Sequence, residues 1–167
     1  MPKRSAGILL YRRAEAGMEV LLVHPGGPFW AKKDAGSWSI PKGEIADDED
    51  AFAAAKREFA EETGFALRPD ADAIALGSFR QSSAKTVEVW AIEGDADPAK
   101  LVSNTFALEW PPRSGRYVDV PEVDRAAWFA LPEAEKRLVK GQAPIIEALR
   151  ARLRATSAAS GRQDAGA

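Results

Sequence analysis

Apolar and polar positions along the chain change period several times, and each change marks an element. Ser5–Tyr11 (SAGILLY) and Met18–His24 (MEVLLVH) are near-continuous apolar runs. Runs of that length predict strands covered on both faces. The polar stretch Arg12–Gly17 between them predicts a hairpin connection. A helical period then takes over, with Phe52, Ala55 and Phe59 at spacings of three and four. At about 100° per residue those three share one arc, and Glu58, Glu61 and Glu62 share the arc beside it. One face is expected to dock on a core while the next presents carboxylates to a common point. Asp47 or Asp48 is placed to cap this helix, and Gly64 to end it in the left-handed conformation.

Strand character returns at Ala73–Phe79 and Thr86–Ile92, where Val87, Val89 and Ala91 alternate with Thr86, Glu88 and Trp90. Gln81–Lys85 predicts a turn between them and Gly94–Pro98 a loop. Residues 99–122 read as irregular, since Pro111 and Pro112 break any regular element there. Their Phe106, Trp110 and Tyr117 argue for an ordered, functional segment over a disordered one. Leu131 starts a helix expected to reach about Lys140, and Gly141 ends it. Pro144 then opens a last helix with Ile145, Ile146, Leu149 and Leu153 as its core stripe. Strands alternating with helices predict an α/β fold. Residues 1–155 read as one domain and 156–167, small and polar, as a disordered tail.

Composition narrows the function. A net charge of -2 over 167 residues argues against stable nucleic-acid binding, which calls for a basic surface. With no cysteine there is no disulfide, thiol nucleophile or cysteine zinc site. The first apolar run is too short to span a membrane or to form a secretory core. A cytoplasmic protein with no membrane partner is the expectation, and oligomeric state is left open. His24, the single histidine, is assigned no chemistry and read as a surface or packing residue.

Glu58, Glu61 and Glu62 repel one another, each i,i+3 or i,i+4 pair weakening an isolated helix by a few tenths of a kcal/mol. A hard divalent cation suits such an all-oxygen set. The plain alternative is a solvated acidic face neutralised by Lys56 and Arg57. In the loop opened by Pro25–Pro28, Phe29, Trp30, Lys32 and Lys33 offer stacking surfaces and cations for one wall of a nucleotide pocket. Otherwise they form a surface loop whose aromatics cover the edge of the core. Arg113 and Arg116 are further candidates for phosphate contacts.

The spacing from Gly43 to Phe65 decides between these readings. It runs Gly43, five residues, Glu49, seven residues, Arg57-Glu58, Phe59, any residue, Glu61-Glu62, any residue, Gly64, Phe65. The stretch resembles the Nudix box, and every fixed position of that pattern is present. The resemblance implies a Nudix-type α/β/α sandwich with a curved mixed sheet, in which Val123–Phe129 is a late strand. It implies hydrolysis of a nucleoside diphosphate linked to another moiety. It also implies Mg2+ or Mn2+ held by the Gly43 carbonyl, Glu58, Glu61 and Glu62. Arg57 would orient the glutamates, and Glu49 would have a structural or outer role. Trp38–Gly43 resembles the strand that leads into the box, which places Lys42 beside the phosphates. Glu58 and Glu109 are the candidate bases, Glu109 as the extra carboxylate many Nudix enzymes draw from outside the box.

The order of Ser5–Tyr11 and Trp38–Gly43 looks most like the branch that cleaves diadenosine tetraphosphate, here asymmetrically to ATP and AMP. Glu44 stands where that branch usually has histidine, and Gln81–Ser83 where it often has tyrosine. A nucleotide-sanitising triphosphate pyrophosphohydrolase is the alternative. A non-catalytic Nudix-fold nucleotide-binding module is the alternative of another class.

Overall fold

The computed structural model describes residues 3–165, with side chains of the final helix described through Thr156. The two apolar runs form β1 (Lys3–Ala14) and β2 (Gly17–Pro25), longer than expected because their polar ends also pair, Arg12 with Glu19 and Ala14 with Gly17. β5 (Lys85–Glu93) lies parallel to β1, and β4 (Ala73–Ser82) runs antiparallel to β5. The late strand β8 (Val123–Ala130) pairs antiparallel with β2, which completes a mixed sheet of order β4-β5-β1-β2-β8.

β1 and β2 pair only near their hairpin, and residues 38–44 fill the gap where they part. Ser39 bridges Val23, and the Ile8 amide donates to the Pro41 carbonyl at 3.2 Å. The short β3 (Lys42–Glu44) then pairs with Ser5–Gly7. Gly7 makes the insertion possible: a β-carbon there would stand 2.7 Å from the Pro41 oxygen. Lys42 and Gly43 are thereby carried to one end of the sheet.

Strand alternation splits the apolar runs into two cores. Leu9, Tyr11, Val20, Leu22, Val87 and Val89 point to one face. There they meet Leu131 and Ala134 of α2 (Leu131–Arg137) and Ile145, Ile146 and Leu149 of α3 (Pro144–Ala165). Ile8, Leu10, Leu21 and Ile92 point to the other face and pack on Ala54, Ala55 and Phe59 of α1 (Ala51–Thr63). The layers are those of an α/β/α sandwich. Two helix ends differ from expectation. Asp50 caps α1, accepting from the Ala53 amide at 3.0 Å, while Ala46–Glu49 form a turn closed by the Glu49 amide on the Ala46 carbonyl. α2 stops at Arg137, because Leu138 turns extended to bridge Trp38 and the Val139 amide bonds the Trp38 carbonyl. Gln142, fully buried, then accepts from the Ile40 amide at 3.0 Å.

The segment expected to be irregular is a second, two-stranded sheet. β6 (Thr105–Glu109) and β7 (Tyr117–Pro121) pair antiparallel from Thr105↔Pro121 to Glu109↔Tyr117. Pro111 and Pro112 sit in its turn, outside the ladder, where a missing N–H costs no strand bond. At the C-terminus, α3 is helical to Ala165. The tail expected at 156–167 falls on its last turns and on residues 166–167, which lie outside the described residues.

Candidate active site

The site is assembled at the C-terminal end of α1. Gly64, at φ 72°, ends the helix and bonds the Ala60 carbonyl. The carbonyls of Thr63 and Glu61 accept from the amides of Val102 and Asn104, both at 2.9 Å. The Glu122 amide in turn donates to the Asn104 carbonyl at 2.9 Å, and the Val123 amide to Ser103 Oγ at 3.0 Å. The last turn of α1 thus pins both feet of the β6–β7 hairpin, and it brings Glu122 beside the box glutamates.

Together they enclose a cleft of about 390 Å³. Five acids line it: Glu44, Glu58, Glu61, Glu62 and Glu122. So do three lysines, Lys3, Lys42 and Lys85, with Ser5, Gly43 and Asn104 completing the wall. Glu58 rests directly on Gly43, where a β-carbon would come within 2.0 Å of its carboxyl carbon, so a larger residue here would push the Glu58 carboxylate out of place.

Arg57 organises the outer half of the acids. Its Nε and Nη2 hold Glu49 at 2.8 and 3.0 Å, and its Nη1 reaches Glu58 at 2.8 Å and Glu61 at 3.2 Å. Nη2 also donates to the Glu44 carbonyl at 3.1 Å, which ties α1 to β3. The Arg57 guanidinium, with help from the Ala46 amide, holds the Glu49 carboxyl down at about 2. Glu49 therefore positions Arg57 and does not line the cleft.

The inner half is different. Burial pushes Glu62 up to about 8, only partly opposed by the Lys42 amide, which donates to Glu62 Oε2 at 3.1 Å, and by the Lys42 ammonium. Burial also raises Glu58 against the pull of Arg57, and burial lowers Lys42. Each shift says that this end of the cleft disfavours the charges it carries. Among the described residues no three acids or histidines are grouped tightly enough to hold a metal ion as they stand. Arg57 draws Glu58 and Glu61 outward, and Glu62 is turned to a backbone amide. The donor chemistry nevertheless fits a hard divalent cation, being entirely carboxylate oxygen with neighbours that resist ionisation in its absence.

Of the residues expected from sequence, the cleft gathers Lys42, Gly43, Glu58, Glu61 and Glu62, with Arg57 behind them. It does not gather Glu109, Trp30, Lys32, Lys33, Arg113 or Arg116. Glu109 ends β6, opposite Tyr117 in the hairpin, and the position expected of it is filled by Glu122. Arg113 and Arg116 lie at the exposed hairpin turn. Lys33 packs on its own loop's aromatics, its Nζ 3.7 Å from the Phe29 ring centre and 5.1 Å from that of Trp30.

His24 anchors that loop. It is fully buried, its Nε2 donating to the Lys33 carbonyl at 2.6 Å and its Nδ1 facing Asp124 at 2.9 Å, so the surface alternative for it is excluded. Lys3, Ser5, Lys85, Asn104 and Glu122 carried no signal in the periodicity. They meet only because strands distant in sequence end at the same place.

Solved structures with the same fold include the C. elegans Ap4A hydrolase, at TM-score 0.58 and 20% identity over 92% of this chain and 99% of that one. A mutT/nudix family protein from Listeria innocua aligns at TM-score 0.61 and 17% identity, covering 93% and 97% of the two chains. The NUDIX domain of Shewanella oneidensis NrtR, complexed with ADP ribose, aligns at TM-score 0.60 and 17% identity, covering 92% and 89%. The NUDIX domain family matches residues 1–149, so the chain belongs to it, and the enzyme class its box implies, a pyrophosphohydrolase, follows.

Proposed function

We propose that this chain is a divalent-metal-dependent hydrolase that cleaves diadenosine tetraphosphate asymmetrically to ATP and AMP. The observation that carries the reading is the meeting of five acids and three lysines in one cleft. A polyphosphate needs cations on both sides, and only the lysines are built in. Nudix hydrolases generally use divalent metal ions. Here Glu58, Glu61 and Glu62, with the Gly43 carbonyl, would hold Mg2+ or Mn2+, which supplies charge neutralisation and acidifies the attacking water. The chain's own residues do the rest. Lys42 steadies the scissile phosphates, and Glu122 or Glu58 takes the proton from water as its oxygen bonds to phosphorus. The phosphorus–oxygen bridge on the far side breaks and the leaving nucleotide departs as an oxyanion. Arg57 keeps Glu58 and Glu61 oriented through a charge-assisted fork.

Among proteins of this fold, the C. elegans Ap4A hydrolase acts by its name on such a substrate, and at 20% identity the likeness itself shows the fold. The test is a comparison of specificity constants for diadenosine tetraphosphate, dGTP and 8-oxo-dGTP with magnesium or manganese. Diadenosine tetraphosphate should lead, and isotopic oxygen from water should enter only one product. A hundredfold preference for the oxidised triphosphate would replace this reading with a sanitising one. Absence of cleavage across a wider nucleotide panel, with binding retained, would replace it with a binding module.

A further inference from the structure

The side of α1 turned away from the box glutamates carries a different chemistry. Phe52, Lys56 and Ala60 follow at spacings of four, so they form a stripe roughly opposite Glu58, Glu61 and Glu62. Beyond Gly64 the chain lies against this stripe as residues 65–71, with neither helix nor strand. Between them is a pocket of about 310 Å³, at the small end of the range for ligand sites. Its apolar walls are Phe52, Phe59, Phe65, Leu67, Pro69 and Ile92. Lys56 and Arg68 line it too, no acid does, and it shares no residue with the catalytic cleft.

Neither cation is answered from within the protein. The residues three and four away from Lys56 are Phe52, Ala53, Phe59 and Ala60, so the helix offers it no acid. Its ammonium lies 4.5 Å from the centre of the Phe52 ring, at the pocket wall. Among the described residues neither Lys56 nor Arg68 makes an ion pair or a side-chain hydrogen bond. The segment beside them is lightly held. The Phe65 amide donates to Thr63 Oγ1 and the Ala71 amide to the Arg68 carbonyl, both at 3.1 Å. A further cavity of about 170 Å³ touches the same Ala66–Arg68 stretch. Close-packed proteins rarely leave this much apolar space against one short segment.

The walls define what fits. Phe52, Phe59 and Phe65 favour a flat aromatic body met edge to face, and Phe59 and Phe65 are already tilted by 54° at 6.5 Å. Two unanswered cations call for a negative charge on that body. A phosphate chain fits poorly, because every other lining side chain is apolar. We propose that this pocket binds a small aromatic carboxylate, as a ligand site separate from the catalytic cleft. The site goes beyond the hydrolase reading and does not depend on it.

The probes are 2-naphthoate and, as its neutral counterpart, 2-naphthamide, followed by ligand-observed NMR with the full chain at pH 7. The acid should bind about fivefold or more tightly than the amide, which two exposed cations together supply. Lys56→Gln/Arg68→Gln should bring the acid to the affinity of the amide and leave the amide unchanged. Lys56→Arg should keep the preference. Ala60→Leu, which fills the pocket from the helix, should weaken both probes. Lys56 and Arg68 are exposed, so thermal midpoints should hold, and each single glutamine variant should lose part of the preference if the double one is unstable. Lys85→Gln, in the catalytic cleft, should change neither affinity. Absence of 2-naphthoate binding at millimolar concentration overturns the proposal, as does equal affinity for the two probes. So does a preference that survives the glutamine substitutions or that Lys85→Gln removes. No arm involves a nucleotide, so failure of the hydrolase reading shows only in its own assay.

Discussion

Glu49 and Glu62 belong to the same box, yet the fold holds their carboxyls at about 2 and about 8. The contrast comes from where each finds its partner. Glu49 has a two-point grip on Arg57 and an amide from Ala46, all within the protein. Glu62 is buried beside Glu58 and Glu122, with one amide and one half-buried lysine to set against them. The outer half of the acidic cluster is therefore complete in itself and acts as a brace. The inner half is complete only when something positive arrives. Family patterns count the two positions alike, but the electrostatics separates a structural glutamate from a functional one.

That division can be broken most sharply by removing charge from the inner half. Glu58→Gln and Glu62→Gln keep shape but withdraw charge, so each should lower turnover by about a hundredfold or more. Their thermal midpoints should hold or rise, since buried charge has been relieved. Steady-state kinetics at saturating magnesium checks this, and near-normal turnover in either variant would dissolve the distinction. A smaller loss, about ten- to a hundredfold, is expected for Glu122→Gln as the carboxylate brought in from outside the box. Glu109→Gln should change the specificity constant by less than about twofold, because that side chain does not reach the cleft.

The next effect is a matter of protons. With its pKa raised from the ordinary 4.5 to about 8, Glu62 binds a proton more tightly folded than unfolded. Its contribution to stability is thus fully present below about pH 4.5 and is lost as pH rises through about 8. In the metal-free protein the thermal midpoint should fall over that window, and Glu62→Gln should flatten the fall. A divalent cation competes with the same proton. Binding at pH 7 should release up to about one proton per ion, and fewer above pH 9. Titration calorimetry in buffers of different ionisation enthalpy measures the number. Zero release at pH 7 would remove Glu62 from the ligand set.

The smallest effect belongs to the brace. Glu49 has the opposite sign: its folded pKa is depressed, so its contribution is present above about 4.5 and lost as pH falls toward 2. Glu49→Gln should therefore shallow the acid limb of a stability profile and leave its neutral and alkaline limbs in place. An acid limb as steep as that of the wild type would show that Arg57 does not depend on this partner.

How far the sequence reached follows from the range of the interactions involved. The spacing of Arg57, Glu58, Glu61 and Glu62 is set within one helix, so helical geometry alone puts them together, while Gly43 joins them through the pairing of β3 with β1. The α/β class and Gly64 as a stop are local patterns as well, and both are legible in the chain. Residues 99–122 read as irregular because the prolines dominate a local reading, whereas strand pairing between Thr105–Glu109 and Tyr117–Pro121 is a contact across the turn they form.

What tertiary structure alone decided is which distant residues join the box. Glu122 is chosen over Glu109 because the free carbonyls at the end of α1 bind the foot of the hairpin and leave its far end remote. Lys3 and Lys85 become neighbours only through the parallel register of β1 and β5, which a polar residue at the start of a strand does not announce. His24 is buried because Asp124 and the Lys33 carbonyl converge on it from two other segments. A carboxylate's position along a helix is written in the chain. Whether its charge is answered from within depends on desolvation and on partners far away in sequence, and those exist only once the sheet has closed.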